Sequence, residues 1–406
     1  MWLPLLLIMC FLATPLYAAS WEFEPAIDVS KVHSANTYHH LQSAGRQHIA
    51  LSGKYVAVAW EDNRDGVSRC YVALKPLAAK LFSSEYRISA AEEALDPVIV
   101  GLQGGYFAVV WESGNRVWGR MVGPHGLGKA VALSGQESMQ ANLGYDPVSG
   151  LRVAWSERDG QYFRVKVAHL KFDLKSTKLT VGPSVSVDNV PLHGDQFYPS
   201  MAALHGNALV VAWEDRRAGH TQIWTGYAAD GRKFTPGVKI NELQRLNNLG
   251  LGRGTGAMRV ALSRVGKKGV AAIWSDKRDF LSGYDVYAAF GSAVSGQFEA
   301  NQKVQDSFGD NIIQWHPAIA GNEAGQIAAV WDDDRDGTSD IWFAWPQGGG
   351  WSDNVAIPGA SGAGVQVEPA IAMDKQGNVH VAWIDKIDLN APSRVRYVMG
   401  RYARVP

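Results

Sequence analysis

Cysteine is almost missing from this 406-residue chain, which has two, Cys10 and Cys70. Cys10 falls inside an apolar leader, so once that leader is removed Cys70 stands alone and no internal disulfide can brace the fold. Neither sign of charge is in excess, with 39 basic residues against 39 acidic ones. Without a basic run, nucleic acid is excluded as the expected partner. Beyond the leader no apolar stretch approaches the roughly twenty residues of a membrane-spanning helix, so the mature chain is expected not to span a membrane. Stability then has to come from a buried core, for which 46% hydrophobic residues are ample.

Charge is also missing from the first twenty residues. They run Leu5-Leu-Leu-Ile-Met-Cys-Phe-Leu12 and then reach small residues at Ala18 and Ala19. This pattern is the apolar core and cleavage end of a secretory signal peptide, although the usual Lys or Arg at its start is not there. The reading is a signal peptide over 1–19 and a single domain over 20–406, exported to the periplasm or secreted.

What the chain has in abundance is one repeated unit. Residues 326–345 read Gln-Ile-Ala-Ala-Val-Trp-Asp-Asp-Asp-Arg-Asp-Gly-Thr-Ser-Asp-Ile-Trp-Phe-Ala-Trp. Two β-favouring runs flank a turn rich in Asp and Gly, which is the pattern of a hairpin. Asp side chains bond turn amides, and Gly337 can take the positive φ that other residues resist. Sister hairpins centre on Trp60, Trp213 and Trp274, and weaker ones on Trp111, Trp155 and Trp383. Each is preceded by a short run often opened by Pro, as in Asp96-Pro, Tyr198-Pro, His316-Pro and Glu368-Pro. After each comes an aromatic–aliphatic pair six residues apart, such as Phe82 and Ile88 or Phe234 and Ile240.

Four strands per roughly fifty residues, repeated seven times, predict an all-β, seven-bladed β-propeller with four-stranded antiparallel blades. The last unit ends without a good fourth strand. Trp21 to Ile27 carries the same six-residue step, so the mature N-terminus is expected to close the last blade and remove two exposed edges.

Trp-x-Asp-x-Arg occurs intact at Trp60/Asp62/Arg64, Trp213/Asp215/Arg217, Trp274/Asp276/Arg278 and Trp331/Asp333/Arg335. Catalysis needs one differentiated constellation rather than four copies, so the expected role is structural. Asp would fasten the turn, and Arg would pair with it while stacking near an aromatic of the next blade. Asp332-x-Asp334-x-Asp336-Gly337 matches the first half of a calcium loop and makes those three aspartates a candidate calcium site, although Phe343 stands where an EF-hand has Glu. His39 and His40 would diverge on a strand, and no His-x-x-x-His accompanies them. Gly250 to Gly256 imitates a nucleotide loop only superficially, since no apolar strand leads into it and no helix follows. No other cofactor is expected.

In a propeller the innermost strands line the axis, and their opening residues face one mouth. Those residues differ between units. His48, Asp96, Tyr198, His316 and Glu368, with Arg253 nearby, are the candidate ligand-binding residues. A glycan or a partner protein are the ligands considered. The first hypothesis is a binding or scaffolding module, and the alternative is a carbohydrate-active enzyme in which Asp96 and Glu368 flank a glycosidic bond, roughly 5–10 Å apart.

Val-Ala-Trp-x-Asp-x-Arg-x-Gly followed by Asp-Ile-Trp or Asp-Val-Tyr resembles the repeats of secreted sialidase-like propeller proteins. The resemblance spans almost the whole mature chain and implies the propeller fold. Sialidases themselves also have six blades, Ser-x-Asp-x-Gly-x-x-Trp boxes, an arginine triad, a Tyr–Glu nucleophile pair and an Asp acid. This chain lacks the boxes, and nothing local singles out Tyr198 and Glu368 as that pair.

Overall fold

Every tryptophan-ended run forms the second strand of an antiparallel sheet in the computed structural model, which describes residues 20–403 apart from 33, 35, 91, 189, 192, 243–255, 279–282, 293 and 307–311. Seven such sheets follow one another around an axis as the blades of a β-propeller. The inner and second strands of blades 2 to 7 are Leu95–Gly101 with Phe107–Ser113, Ser138–Asp146 with Gly150–Asp159, Gln196–Ala203 with Leu209–Asp215, Ala257–Val265 with Gly269–Asp276, Gln314–Gly321 with Ile327–Asp333, and Val365–Met373 with Val379–Lys386. In blade 1 the inner strand is split: His39–His40 and Ile49–Ser52 both pair with Tyr55–Asp62. The predicted signal peptide, residues 1–19, lies outside the described residues.

The core is seven wedges rather than one mass. Trp60 packs with Ala370, Ala382 and Ile384 of blade 7. Trp213 packs with Ala154, Val165 and Val167 of blade 3, and Trp383 with Ala318, Ala328 and Val330 of blade 6. Each tryptophan thus fills the gap to the blade before it, and the small inner-strand alanines leave room for the indole. Burying an aromatic of 150–250 Å² at about 25 cal/mol per Å² gives on the order of 4–6 kcal/mol before entropy is charged. Seven such contacts make the interfaces between blades the main source of cohesion.

Closure follows the expected scheme. Ser20–Phe23 pairs antiparallel with Ser393–Ala403, with Trp21 opposite Tyr402, and Ile27 lies opposite Tyr397 farther along the same strand. The Trp21 ring meets Phe343 of blade 6 edge-on at 4.9 Å. The fourth strands are shorter than the aromatic–aliphatic pairs imply. Phe234 and Ile240 are buried, yet only Val238–Lys239 between them forms ladder. The pair anchors an outer segment through its side chains, and regular pairing covers little of it.

Candidate functional site: the axial mouth

A bulge interrupts the inner strand of every blade from 2 to 7, opposite the second-strand tryptophan. The register slips between Leu95 and Val98, Met139 and Asn142, Phe197 and Ser200, Met258 and Ala261, Trp315 and Ala318, and Val367 and Ala370. One residue in each bulge has positive φ without being glycine: Asp96, Gln140, Tyr198, Arg259, His316 and Glu368, joined in blade 1 by Arg46, all with φ between 49° and 61°. Left-handed backbone costs a residue with a Cβ about 1–2 kcal/mol. A bulge re-aims side chains, and here six bulges carry a polar residue each, with Arg46 of the turn Ala44–Arg46 as the seventh.

In four of the six bulges the backbone amide is capped by the blade before it, through the carboxylate just after the tryptophan. Glu61 accepts from Asp96 N at 3.2 Å, Glu112 from Gln140 N, Glu214 from Arg259 N at 2.7 Å, and Asp332 from Glu368 N at 3.0 Å. Ser156 holds this position in blade 3 and is too short to reach, so Tyr198 N donates to Gln140 Oε1 instead at 2.9 Å. Two concentric polar rings result, in which acids of the outer ring pin the strained backbone of the inner one.

Blade 1 departs from the others. Five residues, Leu41 to Gly45, are inserted between His40 and Arg46, and they close the axis as a plug. Ala44 O accepts from Asn142 Nδ2 at 2.8 Å. A Cβ on Gly45 would meet Asn142 Nδ2 at 2.5 Å and Ser200 Oγ at 2.7 Å, so only glycine fits there. Glu368 anchors the plug, accepting Leu41 N at 2.7 Å and Gln42 Nε2 at 2.9 Å, with His40 Nδ1 at 3.7 Å. Below the plug, inner-strand residues of all seven blades enclose a cavity of about 290 Å³.

Charge at the mouth is crowded. Burial, then the charge of Glu61, pushes Asp96 up; burial, then the charge of Asp96, pushes Glu112 up. Burial raises Glu214 to about 7. Glu368 goes the other way. Burial alone favours its neutral form, but the contact with His40 and the charges of His316 and Arg46 outweigh this and hold its carboxylate well below the usual range. Arg46 is brought down to about 10, by burial above all. His316 Nδ1 lies 2.8 Å from Asp332 Oδ1. The Arg259 guanidinium sits 5.4 Å from the centre of the Tyr198 ring.

Asp96, Tyr198, His316 and Glu368 therefore come together at the mouth. His48 does not: it is fully buried, with Ser43 Oγ at 2.9 Å from Nε2 and Ala59 O at 3.1 Å from Nδ1. Counting back from the strand pairing makes Arg46 the blade 1 member, two residues earlier, because the plug insertion hides the register. Arg253 lies outside the described residues; Arg259, next to Met258, is the blade 5 member. Gln140, Glu61, Glu112 and Glu214 were not singled out from sequence, and Asp332 was singled out only as a calcium candidate, although a polar residue at that place in an otherwise apolar strand is a readable signal.

The calcium candidates do not converge. Asp332 faces His316 and Glu368 N, Asp334 accepts Ile313 N at 3.0 Å, and Asp336 is exposed. Among the described residues no group of three or more His, Cys, Asp or Glu is placed to hold a metal ion.

The Trp-x-Asp-x-Arg units are structural clips. Asp215 Oδ2 accepts Trp213 Nε1 at 2.9 Å, Oδ1 accepts Arg217 N at 3.0 Å, and the guanidinium closes on both oxygens. The arginine stacks on an aromatic of its own blade rather than the next: Arg64 lies 4.1 Å from the Tyr71 centroid, Arg217 4.0 Å from Trp224 and Arg335 4.0 Å from Trp342. The third strand lies beside the second, nearer than any neighbouring blade. Blade 3 keeps the tryptophan half of the clip with Glu157, which accepts Trp155 Nε1 at 2.8 Å.

No protein-family model and no curated protein sequence matches the chain. Solved structures do. A protein of unknown function from Dyadobacter fermentans is 12% identical, with a TM-score of 0.52 over 94% of this chain and 99% of that one. The polysaccharide lyase Uly1 is 7% identical, with a TM-score of 0.53 over 88% and 89%. A prolyl endopeptidase is 11% identical, with a TM-score of 0.50 over 90% of this chain and 47% of its own. These are likenesses of fold.

Proposed function

We propose that this protein is an exported propeller module that binds a glycan in the axial mouth. The ring of seven non-glycine residues at positive φ carries the reading. Glycine would adopt the bend without strain, yet seven polar side chains of six kinds are held there, and strain of this kind accumulates at binding sites. Asp96, Tyr198 and Arg259 are only partly buried and offer hydrogen-bonding groups. Tyr198, Phe197 and Trp315 add flat apolar faces beside them. A few placed polar groups with aromatic surfaces suit hydroxylated sugar rings. The apolar leader supports export, and the resemblance to secreted sialidase-like propellers is kept at that level, without an arginine triad or a Tyr–Glu nucleophile pair.

A second reading, a glycoside-cleaving enzyme, is favoured by one observation. Asp96 is pushed toward its protonated form while Glu368 is held ionised, the division of labour expected of an acid and its partner carboxylate. Against it, both oxygens of Glu368 are taken up by the plug. Binding and cleavage of an oligosaccharide panel by the intact protein and by Tyr198→Ala test both readings. Binding that weakens tenfold or more in the variant, at unchanged melting temperature, supports the mouth. Equal binding by the variant, or capture of a protein and no glycan, overturns it.

A further inference from the structure

The turns that join second to third strands stand around the mouth as its rim, and the ladder gives their height. Trp60 pairs with Tyr71, Trp155 with Lys166, Trp213 with Trp224 and Trp331 with Trp342, each 11 residues on. Trp274 pairs with Tyr287 and Trp383 with Arg396, 13 residues on. Blade 2 breaks the series. Trp111 pairs with Trp118, only 7 residues on, and the chain reverses through Gly114 and Asn115, both at φ 57°. Positive φ at both central residues makes the tight two-residue hairpin, which has no place for the Asp and Arg of the clip. Four residues fewer is two per strand, so the rim drops there by about 7 Å at roughly 3.3 Å per residue.

A cleft of about 540 Å³ opens at this notch, between blade 2 and blade 3. Gly114 and Asn115 line it on one side, Met139 and Arg158 on the other. Its inner end is the ring itself. Leu95 immediately precedes Asp96, and Glu112, also in the lining, caps Gln140 N. The cleft therefore continues the mouth outward, and its volume is that of an ordinary ligand pocket. Leu95 is 36% exposed and Met139 half-buried, which gives it an apolar floor. The charge around that floor is of one sign. Arg158 is held over Phe163 at 4.3 Å and engaged by Glu137 at 3.4 Å. The carboxylates of Glu92 and Glu93 are exposed and pair with no described residue. A polyanionic chain would be repelled here, whereas sugar hydroxyls would find free acceptors.

Resting on the reading that the mouth takes a glycan, we propose that the glycan is an uncharged linear chain of several units. One unit sits on the axis, and its neighbours lie in the cleft between blades 2 and 3. Leu95 and Met139 pack under those neighbours, and Glu92 and Glu93 accept from their hydroxyls. The plug closes the axis below and the other six turns stand higher, so the low point of the rim at blade 2 is the way out for the chain.

Calorimetric titration of the full chain with neutral linear fragments of glucan, xylan and mannan, each from monosaccharide to hexasaccharide, tests this. In at least one series affinity is expected to rise about tenfold from monosaccharide to tetrasaccharide. Leu95→Ala should remove most of that gain and leave the monosaccharide unchanged. Replacing Gly114-Asn115 with the six-residue turn of blade 6, residues 334–339, raises the rim and should abolish the gain. Affinity independent of length, a gain that survives both changes, or an equal gain with polyuronate fragments overturns the cleft and leaves the axial site in place. Silence toward every glycan brings down both readings.

Discussion

Glu368 of the last blade receives the backbone N–H of Leu41 from the first, at 2.7 Å across 327 residues of chain. This bond holds the axial plug, while the contact with His40 and the charges of His316 and Arg46 keep the Glu368 carboxylate ionised against the pull of burial. Glu368→Gln leaves an amide nitrogen facing donors from Leu41, Gln42 or His40. The expected loss is about 1.5–3 kcal/mol of stability, as for hydrogen bonds to a charged group. A carboxyl depressed on folding contributes stability that is fully present above its unfolded value, about 4.3, and is lost as pH falls toward the folded value. Denaturant midpoints of the two proteins should differ most near pH 5–6, draw closer as pH rises through the raised value of His40, and converge below pH 4.

Glu214 carries the opposite linkage. Its folded value of about 7 lies above the unfolded one, so the native state holds a proton that the unfolded chain has released, and the stability this gives is lost as pH rises through 7. Glu214→Gln keeps an acceptor for Arg259 N and has no charge to bury. The variant should match the parent near pH 5 and exceed it near pH 8.5, by up to about 3 kcal/mol. Urea titrations at the two pH values read this directly, and a variant weaker at both would contradict it.

Asp215 is buried and fastens Trp213, the turn and Arg217 together. Asp215→Ala strands an indole N–H and a guanidinium, and should cost about 3–5 kcal/mol. Ligand affinity measured on the surviving folded fraction should be unchanged, because the clip faces the blade interior. A variant of normal stability with lost binding would place the clip in the site instead.

At ring positions the ordinary preference for alanine over glycine in a strand should reverse. Tyr198→Gly is expected to be more stable than Tyr198→Ala by about 1 kcal/mol, because glycine adopts φ of 50° without strain. Both lose the phenol, so both should bind ligand equally poorly. Equal stability of the pair would mean that the bulge relaxes when the side chain is cut back.

The propeller was readable in the sequence because each unit states its own pattern. Val56 to Trp60 has the alternation of a strand, Asp62 to Gly66 the chemistry of a turn, and Trp21 and Ile27 a step that repeats elsewhere. Four of the seven inner-ring residues were readable too, since proline after Asp96, Tyr198, His316 and Glu368 marks the bulge. Arg46, Gln140 and Arg259 have no proline after them and were hidden. The plug was hidden for a deeper reason. Leu41 to Gly45 looks like any loop, and its role depends on being inserted where a strand should continue, which only the pairing of His40 with Glu61 and Ile49 with Val58 reveals. The acids that cap the bulges act across blades, and no local pattern records which blade a side chain will face.

The most direct measurement is a crystal structure of the protein with the tightest-binding oligosaccharide from the screen. A sugar unit is expected on the axis above the plug, within hydrogen-bonding distance of Asp96 and Arg259 and packed against Tyr198. A sugar seated instead on the outer strands of a blade, with the ring untouched, would contradict it.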